Sequence, residues 1–104
     1  MSAERLRTPE VEALCDAFAT LTDAEDVYAF LQDVCTIREI QDMAQRLAVA
    51  RMLAAGAHYS AIQEATGASS TTISRVSRSL NYGADGYARV IGAIGTLGGE
   101  GAAE

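Results

Sequence analysis

From Val11 onward the large apolar residues recur at intervals of three and four, the repeat of one face of an α-helix. Val11, Leu14, Cys15, Phe18 and Leu21 form one such stripe, and Val27, Phe30, Leu31 and Val34 form a second. Ile40, Met43, Ala44 and Leu47 form a third, widened by Val49, Met52 and Leu53. Such a repeat restricts the chain to helices packed on helices, an all-α fold. Pro occurs once in 104 residues and β-branched runs are scarce, which agrees. Alanine supplies 20 of the residues counted hydrophobic, and there is no Trp and only two Phe. A core built mainly of Ala is thin, so burial against a second copy in a homodimer is expected.

The breaks between stripes are equally readable. Residues 1–8 are polar and expected to be loose. Pro9 suits the first position of a helix with Thr8 as its N-cap. Thr22 to Glu25 and Thr36 to Glu39 each have the spacing of a capping box. The second box opens a long central helix over about 37–55, ended by Gly56. A short helix follows over Tyr59–Thr66, with Ile62 and Ala65 inward. Gly67 and Ala68 make a turn, and Ser69 or Ser70 caps a second short helix over about 70–80, with Ile73, Val76 and Leu80 inward. Asn81-Tyr82-Gly83 ends it. Asp85 to Ile94 reads as a last helix, weakened by Gly86 and Gly92. Residues 1–94 then read as a single domain and 95–104, rich in Gly, as a disordered tail.

Several function classes drop out. No apolar run reaches the length of a membrane span, and the N-terminus lacks the pattern of a signal peptide, so a cytoplasmic protein is expected. Cys15 and Cys35 show no CxxC spacing and read as reduced, buried thiols, with no disulfide or metal site. The only His, His58, has no nucleophile-and-base arrangement beside it. Glu12 and Asp16 four apart read as a solvated face, and no enzyme activity or cofactor is expected.

Net charge is −6, which at first looks wrong for a nucleic-acid binder. Its distribution changes that view. Residues 1–45 carry three Arg against ten acids, whereas residues 46–89 carry five Arg against Glu64 and Asp85. Basicity lies in the C-terminal half, with the two short helices. Between Thr66 and Ser79, eight of fourteen residues are Ser or Thr, which helix propensity does not explain. Short hydroxyl side chains approach base edges and phosphates closely, Arg75 and Arg78 add charge, and a helix N-terminus attracts a phosphate. The segment 59–80 therefore reads as a helix-turn-helix. Two positions depart from the generic motif: Gln63, four before Gly67, stands where a small buried residue is common, and Thr66 where an apolar one is. A helical adaptor that uses the acidic N-terminal half is the alternative.

The stretch from about Leu31 to Leu80 resembles the Trp repressor superfamily, most closely its YerC/YecD-like group. The resemblance rests on Thr36-Ile-Arg-Glu-Ile-Gln-Asp-Met-Ala-Gln-Arg46, on Leu53-Ala-Ala-Gly56, and on Glu64-Ala-Thr-Gly-Ala-Ser-Ser-Thr-Thr-Ile-Ser-Arg75. It implies a six-helix, intertwined homodimer whose two reading heads enter successive major grooves of a double-stranded operator. It implies a DNA-binding transcription repressor, with Ser70, Thr71, Thr72 and Ser74 facing the groove and Gln63 adding a contact from the first helix; the hydroxyl and charge argument above adds Ser69, Arg75 and Arg78 to the DNA-facing set. It also implies an effector site at Thr36, Arg46 and Arg75, where the superfamily's namesake holds tryptophan. Val76 stands where that slot has a glycine, so tryptophan is not the expected effector. Read from spacing alone, Arg46 instead makes a helix-surface or dimer ion pair with Asp42 or Glu39.

Overall fold

The structure is a computed structural model and describes residues 3–97. Every element among the described residues is helical: α1 (Ala3–Leu6), α2 (Pro9–Ala19), α3 (Ala24–Val34), α4 (Ile37–Ala54), α5 (Tyr59–Thr66), α6 (Ser70–Tyr82) and α7 (Gly86–Ile94). Six helices of eight residues or more thus follow one short N-terminal turn. That turn, α1, falls where a loose segment was expected. The chain divides into two compact units, with the boundary between Ile40 and Gln41.

In the N-terminal unit the ends of the helices follow local hydrogen bonding. Thr8 Oγ1 accepts from the Val11 amide at 3.2 Å and opens α2, as its sequence position suggests. The start of α3 corrects the expected box: Asp23, not Thr22, is the N-cap and accepts from the Glu25 amide at 3.3 Å. A carboxylate there also meets the positive end of the helix dipole. The second box forms in full. The Thr36 amide donates to Glu39 Oε1 at 2.8 Å, and the Glu39 amide donates back to Thr36 Oγ1 at 3.1 Å. Phe18 and Phe30 meet edge to face with centroids 5.2 Å apart. Nevertheless α2 and α3 bury no residue. The cysteines are not buried thiols either: Cys15 is exposed, and Cys35, half-buried, terminates α3 in extended backbone.

The C-terminal unit holds the core. Val49, Ala50 and Met52 of α4 meet Ile62 of α5, Ala68 of the turn, Ile73 and Val76 of α6 and Ile91 of α7. Leu53, Ala57, Leu80 and Tyr87 pack around them half-buried. Ala65, expected inward, is exposed, and Thr66 takes the inward place instead. Its hydroxyl donates to the Ile62 carbonyl at 2.7 Å and accepts from the Ala68 amide at 3.1 Å, so a polar side chain is satisfied where an apolar one is usual. Asp85 caps α7 from a left-handed conformation, one that Asp tolerates better than most residues. After α7, Arg51 Nε donates to the Gly95 carbonyl at 2.9 Å and the Leu97 amide to the Arg51 carbonyl at 3.2 Å. Gly95 and Leu97, in the expected disordered tail, are therefore tied to α4, and 98–104 lie outside the described residues.

Candidate nucleic-acid interface

Two short helices and a tight corner build the interface. α5 ends at Gly67, whose φ of 72° lies in the left-handed region that a side chain disfavours, and whose amide donates to the Gln63 carbonyl. The chain turns at once into Ala68, which is buried, and Ser69, which caps α6. Ser69 Oγ accepts from the Thr72 amide and donates to Thr72 Oγ1, each at 3.1 Å. At its far end α6 stops at Gly83, where a Cβ would collide with the Ser79 carbonyl oxygen. Ile73 and Val76 anchor one side of the helix in the core, so its opposite side is held outward.

Five of the expected DNA-facing residues line one shallow groove of about 330 Å³ on that outer side: Ser70, Thr71, Ser74, Arg75 and Arg78. Among the described residues no acid lines it, and neither arginine is in an ion pair. The groove thus offers three hydroxyls and two guanidinium groups at the N-terminal half of a helix, a donor-rich surface suited to phosphate oxygens and base edges. The other three candidates stand apart. Gln63 is exposed on α5. Ser69 is engaged as the cap, and Thr72 is half-buried with its hydroxyl held by Ser69. Thr72 faces a different cleft.

That second cleft, of about 340 Å³, is lined by Asp42, Gln45 and Arg46 of α4, by Thr72, Arg75, Val76 and Ser79 of α6, and by Tyr87 of α7. Two members of the suggested effector set, Arg46 and Arg75, therefore share one cleft, and Arg75 lines both depressions. Thr36 belongs to the N-terminal unit, and its hydroxyl is occupied by the Glu39 amide. Arg46 makes no ion pair within the chain among the described residues, so the helix-surface pair with Asp42 or Glu39 does not form. Val76 is 2% exposed and lines the cleft from the core side. Gln45, Ser79 and Tyr87 were not legible as cleft residues, because only the crossing of α4, α6 and α7 brings them there. Among the described residues no group of His, Cys, Asp and Glu is placed to hold a metal ion, and no helix is long and apolar enough to cross a membrane.

Comparison with known proteins agrees on one lineage. A family model described as Trp repressor protein matches residues 9–94. The uncharacterized protein YerC of Bacillus subtilis (strain 168) is 52% identical over 87 residues, 84% of either chain. The crystal structure of a Trp repressor candidate from Staphylococcus aureus is similar with a TM-score of 0.84 and 44% identity, covering 90% of this chain and 94% of that one. A TrpR like protein from Eubacterium eligens ATCC 27750 has a TM-score of 0.82 and 50% identity, covering 88% and 94%.

Proposed function

The chain belongs to the Trp repressor family, a family of helix-turn-helix regulators and not of enzymes, and on that premise we propose that it is a homodimeric, sequence-specific transcription repressor. The observation that carries the reading is the acid-free groove of Ser70, Thr71, Ser74, Arg75 and Arg78 on the outer side of α6. Arg78 and Arg75 hold phosphates, while the hydroxyls of Ser70, Thr71 and Ser74 read base edges directly or through water. Gln63 adds a contact from α5. Ser69 and Thr72 act mainly as the cap that presents these groups.

The homodimer is supported by the N-terminal unit. Leu14 is 40% exposed and Ile37 76% exposed, and α2 and α3 bury nothing within one chain. Apolar surface of this extent is completed by a second copy. Two copies present two copies of α6, which sets half-sites one helical turn, about 34–36 Å, or multiples of it apart.

The regulator acts in the cytoplasm and does not respond to tryptophan. An indole ring between Arg46 and Arg75 needs a floor without a side chain, and Val76 supplies three carbons there. Overpacking of that kind costs about 1–3 kcal/mol. A small carboxylate remains compatible with the Arg46 and Arg75 forks.

Selection of duplexes from a random pool by the purified protein tests the whole reading. Enrichment of a pseudo-palindrome with half-sites one turn or multiples apart is expected. No enrichment over input, together with capture of a protein partner through the acidic half, would favour the adaptor reading instead.

A further inference from the structure

The corner between α5 and α6 raises a question of accounting. The last carbonyls of a helix have no partner inside it, and a half-buried one needs a donor from elsewhere. At the end of α5 the Gln63 carbonyl takes the Gly67 amide and the Ile62 carbonyl takes the Thr66 hydroxyl. The Thr66 carbonyl takes neither. Its donor is Nε2 of Gln45, at 3.0 Å, from the middle of α4 and 21 residues away in sequence. Gln45 is itself half-buried and also lines the cleft that holds Arg46 and Arg75.

We infer that Gln45 is a positioning residue for DNA reading: its amide ties α4 to the Thr66 carbonyl and so fixes the corner from which α6 departs. Only Gly67 and Ala68 lie between that carbonyl and the Ser69 cap. Core contacts through Ile73 and Val76 hold α6 against the unit, but apolar contacts are non-directional and permit rotation and sliding. A directed hydrogen bond at the corner removes that freedom. Gln45 does not line the outer groove, and its described hydrogen bond goes to the Thr66 carbonyl and to no groove residue, so its effect on DNA passes through geometry. The inference rests on the DNA-binding reading above.

Three variants test it. Gln45→Met keeps length and volume and removes the donor, Gln45→Glu offers only acceptors to a carbonyl oxygen, and Gln45→Lys restores a donor. The primary readout is the ratio of affinity for a selected duplex to affinity for random-sequence duplex, which cancels general charge effects. Gln45→Met is expected to lower the ratio about five- to tenfold with an unchanged salt slope, as the loss of one hydrogen bond implies. Gln45→Glu is expected to lower it further, and Gln45→Lys to return it to within about twofold of the native protein. The second readout needs no DNA: hydrogen exchange at the Gly67 and Ala68 amides should quicken in the Met and Glu variants. A general loss of fold would weaken both duplexes alike. An unchanged ratio, or equal loss on both duplexes, overturns the inference while leaving DNA binding intact. Unchanged exchange at the corner also overturns it. A native protein that prefers no duplex removes the DNA reading itself, a result the selected-to-random ratio of the native protein reports separately.

Discussion

In the unit that begins at Gln41, Val49, Ala50, Ile62 and Ile73 are fully buried within one chain, whereas α2 and α3 before it bury no residue despite their apolar stripes. Charge divides in nearly the same place, with three Arg against ten acids up to residue 45 and five against two from 46 to 89. The contrast separates two tasks. The C-terminal unit closes its own small core and can hold a rigid, basic, hydroxyl-rich helix outward. The N-terminal unit leaves apolar side chains such as Leu14 and Ile37 exposed, among acids that nucleic acid would repel. Under the proposed homodimer, assembly and recognition fall to different residues.

The largest expected effect tests the self-sufficient core. Ile73→Ala should destabilise the protein by about 2–5 kcal/mol per chain, measured by urea unfolding and independent of protein concentration. Leu14→Ser should instead show itself through concentration. We expect a loss of about 1–3 kcal/mol that shrinks as protein concentration rises, with dissociation visible by sedimentation at low micromolar concentration. A compact, cooperatively folded native monomer there would break the contrast.

Within α6 the comparison narrows to two hydroxyls two residues apart. Ser74→Ala should cost about 1–3 kcal/mol in discrimination between selected and altered sites. Thr72→Ala should cost about 0.5–1.5 kcal/mol in stability, with little change in discrimination, because its hydroxyl accepts from Ser69 while its amide keeps the cap bond. The reverse pattern would place the wrong face on DNA. Arg78→Ala should weaken binding to all sequences and lower the salt slope by about one. The smallest effect expected is none: titrated free tryptophan should show no saturable fluorescence change below millimolar concentration. The chain has no Trp of its own to confuse the signal. Val76→Gly should create binding if Val76 is what blocks the floor.

What the sequence disclosed was local. Gly67 in left-handed backbone, the reciprocal box between Thr36 and Glu39, and the cap from Ser69 each depend on residues within four of one another. The Asp23 cap was missed because Thr22 satisfied the same pattern one residue earlier. Ala65 reads as inward beside Ile62, but Thr66 hides its polarity in backbone bonds and takes the inward place. Cys15 sits on an apolar stripe yet is exposed, because a stripe tells which face is apolar and not whether anything in the chain covers it. Gln45 and Tyr87 carried no local signal at all. Their places depend on how α4 and α7 pass α6, a property of the assembled unit.

The outer groove and the frame of α6 share very few atoms. Ser69, Thr72, Ile73 and Val76 hold the helix, while Ser70, Thr71 and Ser74 are exposed and make no described side-chain hydrogen bond. Exchanging one of these three for another small or polar residue therefore costs the fold little, since surface positions away from caps and core are usually near neutral. If these three residues read DNA as proposed, single exchanges among them can change the sequence read without crossing an unfolded intermediate. The alphabet of the reader can change while its grammar is kept.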